Sequence, residues 1–134
     1  MADTDSLEAI LDAHARWSQG DTRRGRRALL EGWSLADQDL RGRDLKNADL
    51  RNTKLDNADF GGADLRGADL TGATLFQANL ENVLLSGADL SDADLRNANL
   101  KGADLTGAEL WRTNMKGAII TPDVLHRALG CRLA

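Results

Sequence analysis

Large apolar residues stand at every fifth position from Leu30 to Ile120, nineteen times in succession. Leucine fills the series except at Phe60, Met115 and Ile120. A period of five fits no simple element. On an α-helix five residues advance about 140° beyond a full turn, so the series would scatter around the axis. On a flat strand five is odd, and successive leucines would alternate faces. The pattern therefore predicts a bend in every repeat.

The flanking positions locate that bend. Two residues before each large apolar centre the chain is small, running from Ala48, Ala58 and Ala63 to Ala118, with Thr53, Val83 and Thr113 as variants. In an extended segment the small residue and the centre point to the same side, and the residue between them, usually Asp or Asn, points away. Two residues after the centre, from Gly32 to Gly117, Gly, Asn or Asp occupies sixteen of eighteen places, failing at Gln77 and Arg112. These residue types tolerate left-handed backbone. Each repeat reads as a short extended piece followed by a tight turn.

The motif, seen as Ala63-Asp64-Leu65-Arg66-Gly67 and Ala103-Asp104-Leu105-Thr106-Gly107, resembles that of the pentapeptide-repeat proteins. The resemblance implies an all-β solenoid, a right-handed quadrilateral β-helix with four repeats per coil. Four repeats per coil would give about four and three-quarter coils, or ~23 Å of stack at ~4.8 Å per layer. Residues twenty apart would then share a face. An N-terminal helix with His14 and Trp17, followed by a glycine-arginine turn, also looks like a preface common in that family.

Three units follow: residues 1–29, 30–120 and 121–134. In the first, Asp5 and Glu8 have capping-box spacing. Leu7, Ile10, Leu11, His14 and Trp17 make one amphipathic face, and Gly20 is placed to end a helix over about residues 6–19. Arg23, Arg24, Arg26 and Arg27 flank Gly25. They suit an anion or an acidic surface, or else reach carboxylates on the neighbouring coil; the run lacks aromatic residues to stack on bases. Trp33, Gln38 and Arg43 take the small inward position, which predicts an irregular first coil covered by the helix. In the last unit Thr121-Pro122-Asp123 reads as a helix start, Leu125 and Leu129 share a face, and the helix serves as a cap or a dimer contact. Trp111 is expected to pack beneath it.

Composition narrows the function classes. The formal net charge of −4 argues against a general nucleic-acid binder, and the single Cys131 excludes an internal disulfide. No run approaches the ~18 apolar residues of a membrane span, and the acidic N-terminal stretch lacks signal-peptide features, so a soluble cytoplasmic protein is expected. His14 lacks a convergent ligand set, and His126 with Cys131 lacks a third partner, so no catalytic, metal or cofactor site is expected.

The candidate contact positions are those that depart from the repeat. Lys54 and Thr74 replace Asp or Asn, Phe76 is an outward aromatic, and Leu84 replaces Asp. Asp49, Asp69, Asp89 and Glu109 should form an acidic ladder on one face. The expectation is a non-enzymatic structural or interaction module with an unidentified protein partner, with a homodimer through a terminal helix as an allowed assembly. The alternative is a DNA mimic acting on a type II topoisomerase such as DNA gyrase, a role that some members of the resembled family perform.

Overall fold

The computed structural model describes residues 6–129. The repeat region is a β-helix built from parallel bridges between residues twenty apart, from Leu29↔Asp49 to Asn99↔Ile119. A twenty-residue offset over a five-residue repeat puts four repeats in each coil. Every side is one short extended piece, so the coils meet through single rungs. The centre donates its N–H forward, as Leu65 does to the carbonyl of Leu84 at 2.7 Å, and Leu84 donates back to Ala63 at 3.0 Å.

Each corner is closed by a bond across four residues, for example Ala63 N–H to Phe60 C=O at 2.8 Å. Its third residue has positive φ, the sign a type II turn requires. Asn47, Asn52 and Gly62 illustrate this at 60°, 57° and 67°. Gln77 and Arg112, the two exceptions in the sequence pattern, adopt it too, at 58° and 57°. Asn at a corner also stands over glycine one coil on: a Cβ on Gly67 would lie 2.2 Å from Asn47 Oδ1.

Inside, the leucine centres from Leu35 to Leu105, Phe60 and the alanines between them are buried in one column. Full burial of one leucine is worth about 1.5–3 kcal/mol. The first coil is not irregular as the sequence suggested. Ser34↔Lys54, Asp39↔Asp59 and Asp44↔Asp64 bridge as regularly as later rungs. The oversized residues leave the interior instead: Gln38 is exposed, Trp33 is half-buried against the core, and Arg43 turns out to the helix.

Helix α1, Leu7–Ser18, lids this end. Its N-cap is Ser6, whose hydroxyl accepts from Ala9 N–H at 3.2 Å, rather than Asp5, which lies outside the described residues. Glu8 pairs with Arg43, and Asp12 lies 3.7 Å from it. Leu11 and His14 are buried. His14 Nδ1 accepts the N–H of Ala28 at 2.9 Å, which fixes Nε2–H as the donor to the carbonyl of Lys46 at 2.8 Å. The imidazole thus satisfies two backbone groups at the start of the stack. Burial lowers its pKa below the usual histidine value. Past Gly20, at φ 96°, the turn passes so close to α1 that a Cβ on Gly25 would sit 2.3 Å from Trp17 N.

Helix α2, Pro122–Ala128, lids the other end less completely. Val124 is its buried residue, whereas Leu125 and Leu129 are exposed. Leu110, Met115 and Ile120 are only partly covered. Trp111 does not pack beneath α2: it is 70% exposed. Gly130 and Cys131 lie outside the described residues. Among the described residues no helix is long and apolar enough to cross a membrane.

Two predictions arise here. Gly25→Ala should lose about 3 kcal/mol or more of unfolding free energy, because backbone atoms must move. Gly61→Ala, whose Cβ would meet nothing nearer than Asp59 Oδ1 at 3.2 Å, should lose less than ~1 kcal/mol; urea denaturation compares them. Second, because folding depresses the His14 pKa, the unfolded chain binds more protons, and stability falls as pH drops through the unfolded value of 6.5 towards the native one. His14→Gln should cost about 2–3 kcal/mol at pH 7.5 and flatten the melting-temperature profile in that window.

Candidate interaction surface

The residue before each centre donates and accepts through its backbone on the inner rungs, so its side chain is held outward. In that place Asp and Asn fold back on their own turn. Asp64 Oδ1 accepts the N–H of Arg66 at 3.2 Å, Asp69 that of Thr71 at 3.0 Å, and Asp89 that of Ser91 at 2.9 Å. Where an arginine follows, the carboxylate also takes its guanidinium. Arg66 Nη2 is 2.7 Å from Asp64, and Arg96 Nη2 is 2.7 Å from Asp94. These hydrogen bonds hold both aspartates below the ordinary carboxylate pKa.

Asp49, Asp69, Asp89 and Glu109 stand on successive rungs of one column, through the bridges Asp49↔Asp69, Asp69↔Asp89 and Asp89↔Glu109. Its chemistry is largely internal. Asp49 is 5% exposed and takes Arg51 through Nε and Nη2 at 2.9 and 2.8 Å. Arg51 also reaches Glu31 at 2.8 Å. Thr71 Oγ1 donates to Asp69 at 2.6 Å, and bonds from Ser91 lower the Asp89 pKa. Arg51 balances charge at the base of this column, while the later carboxylates keep theirs, with Asp69 and Asp89 tied to turn amides and hydroxyls.

The four rule-breaking residues do not form one patch. Lys54 and Thr74 are adjacent rungs of one column, and Phe76 follows on the same side. Leu84 bridges Asp64 and Asp104, which puts it two repeats away, on the opposite side of the four-sided coil. Lys54 is exposed. Phe76 is half-buried, with the Arg96 guanidinium 5.4 Å from its ring centre. Thr74 does not offer its hydroxyl outward: Oγ1 is buried and without a hydrogen-bond partner. Leu84 is 36% exposed between two carboxylates.

Of the two readings of the arginine turn, ion pairs to carboxylates of the neighbouring coil are not formed among the described residues. Arg24 pairs with Asp21 of its own turn at 3.2 Å, and Arg27 donates to the carbonyl of Asn47 at 2.6 Å. Among the described residues neither Arg23 nor Arg26 pairs with a carboxylate. The environment of this turn was not legible in the sequence, because it depends on how the turn packs against α1 and the first coil, where Arg16 and Arg27 reach the carbonyls of Arg24 and Asn47. Among the described residues no His, Cys, Asp or Glu group is arranged to hold a metal ion.

Comparison with known proteins matches the family model for pentapeptide repeats, in eight copies over residues 44–82 and 84–121. Among solved structures, the pentapeptide repeat protein alr5209 from Nostoc Pcc 7120 is 29% identical, with a TM-score of 0.70, covering 87% of this chain and 96% of its own. Rfr23 from the cyanobacterium Cyanothece 51142 is 38% identical, with a TM-score of 0.50, over 67% of this chain and 58% of its own. A pentapeptide repeat protein of the Arabidopsis thaliana thylakoid lumen is 36% identical, with a TM-score of 0.49, over 69% and 61%. This chain thus spans about three-fifths of the length of the last two. No curated protein matches it significantly.

The buried hydroxyl of Thr74 gives a direct test of whether that position is kept for stability. An unsatisfied buried polar group costs about 1–3 kcal/mol. Thr74→Val, of the same shape, should raise the unfolding free energy by about 1 kcal/mol; equilibrium urea unfolding measures it.

Proposed function

We propose that this chain, which belongs to the pentapeptide-repeat family, is a non-enzymatic protein-interaction module. The observation that carries this reading is that the polar groups at its regular positions are spent on the fold. His14 has both ring nitrogens bonded to backbone, and the Asp and Asn columns accept amides of their own turns. What remains for a partner is contact surface: Leu84 between Asp64 and Asp104 on one side, and Lys54 with Phe76 and Arg96 on the opposite one. Leu84 is the stronger anchor, since Phe76 already has a cation over its ring. A homodimer through a terminal helix would form at α2, where Leu125 and Leu129 face outward.

The DNA-mimic alternative rests on the ladder Asp49, Asp69, Asp89 and Glu109. Arg51 neutralises its base and the turn amides tie down Asp69 and Asp89, which favours the first reading. The test uses Leu84→Asp and Phe76→Ala separately, each beside wild type in cross-linked capture from native lysate. Leu84→Asp should lose a partner that Phe76→Ala retains, with unchanged melting temperature, and excess protein should leave gyrase supercoiling unaffected. Retention of every partner by both variants, or inhibition of supercoiling that is lost on Asp69→Asn and Asp89→Asn, would overturn it.

A further inference from the structure

A groove of about 730 Å³ runs between α1 and the turn that follows it. Its floor is aliphatic, made by Ile10, Ala13 and Leu29. Its rim carries Arg16 from α1 and Arg23, Arg26 and Arg27 from the turn. Leu29 is 63% exposed, yet it heads the column that continues as Asp49, Asp69 and Asp89. An apolar side chain thus stands where the later rungs carry carboxylates.

The arginines are equally out of keeping with the rest of the molecule. On the stack Arg41, Arg51, Arg66 and Arg96 each pair with the aspartate two residues earlier. Around the groove the bonds of Arg16, Arg26 and Arg27 go to backbone carbonyls. Among the described residues these three and Arg23 have no carboxylate within ion-pair reach, while Arg24 has Asp21. A chain of net charge −4 therefore gathers unneutralised guanidinium groups around an apolar floor. Arginine presents a planar fork that fits carboxylates bidentately.

We propose that this groove binds an acidic peptide segment of a partner protein, with an aliphatic side chain on the floor and carboxylates against the rim. The groove has no aromatic lining on which a nucleic-acid base could stack, and its aliphatic floor suits an apolar side chain rather than a phosphate backbone. The inference rests on the reading of the chain as an interaction module, but it uses a surface other than Leu84 and Phe76.

The test is fluorescence anisotropy with the full chain and a fluorescein-labelled peptide, Glu-Asp-Leu-Glu-Asp-Leu-Glu-Glu. Binding should be on the order of 10 μM and should weaken as salt screens the rim. The Arg23→Gln, Arg26→Gln double variant, which keeps both side-chain stems, should bind about tenfold more weakly. So should Leu29→Ser, and all should keep the wild-type circular dichroism. The copy Gln-Asn-Leu-Gln-Asn-Leu-Gln-Gln should not bind. Leu84→Asp and Phe76→Ala should leave peptide binding unchanged, so failure here is distinct from failure of the solenoid faces. Equal binding of the neutral copy, equal binding by the double variant, or tighter binding of oligo-dT or of phosphatidylglycerol vesicles overturns the proposal.

Discussion

The N–H of each centre from Leu30 to Leu100 reaches the carbonyl of the residue nineteen positions on, at 2.8 Å for Leu45 to Asp64 and for Leu85 to Asp104. The rest of the molecule depends on keeping that offset. A rung forms only if four corners have each turned the chain by the same amount, and each corner needs one residue at positive φ. Glycine, asparagine and aspartate supply it at low cost. Gln77 and Arg112 supply it at the roughly 1–2 kcal/mol that a left-handed residue costs an L side chain. They hold because their neighbours are pinned: Gln77 N–H reaches Arg96 and that of Asn57 reaches Phe76, at 3.0 and 2.9 Å.

The same constraint decides what the outward carboxylates do. A backbone fixed by rungs presents its turn amides at a fixed distance from the preceding side chain, and Asp or Asn is the length that reaches them. The columns that look from sequence like a charged face are therefore parts of the corners. Their protonation has a fold consequence. The pKa of Asp39 is lowered to about 2 by the bidentate Arg41 guanidinium, and Asp64 and Asp94 are lowered by Arg66 and Arg96. Depressed native values mean that this contribution is whole above the unfolded carboxylate range, near pH 4, and fades as pH falls towards 2.

The apolar register, small positions and corner residues were legible because periodic burial leaves a periodic record. The two helices were legible from their amphipathic spacing and caps. What the sequence did not reveal depends on side-chain direction at the places where the period breaks. Trp33, Gln38 and Arg43 looked like an obstruction to the first coil, but α1 offers Glu8 and Asp12 to Arg43, and the backbone stays regular. Thr74 looked like an outward polar variant, yet its hydroxyl is buried without a partner. Phe76 was visible as an exposed aromatic, whereas Arg96 over its ring depends on the twenty-residue stack. The arginine turn was visible as a charge cluster, but not as one rim of an apolar groove.

A repeating surface has a physical weakness as a recognition site. A partner that reads only a regular column can shift by one coil, about 4.8 Å, and meet nearly the same groups again, just as flat uniform strands slip in register. Specific binding therefore needs a feature that occurs once. Leu84 interrupts a column of aspartates, Phe76 is followed on its column by Arg96 and Lys116, and Leu29 replaces the acid at the head of its ladder. The ends add another asymmetry. α1 seals its end with the bonded His14 and leaves its arginines outward, whereas α2 brings Val124 inward and leaves the last centres half-covered. Two ends with different chemistry give the stack a polarity that its sides lack. A partner engaging one end together with Leu84 would be fixed in both register and direction.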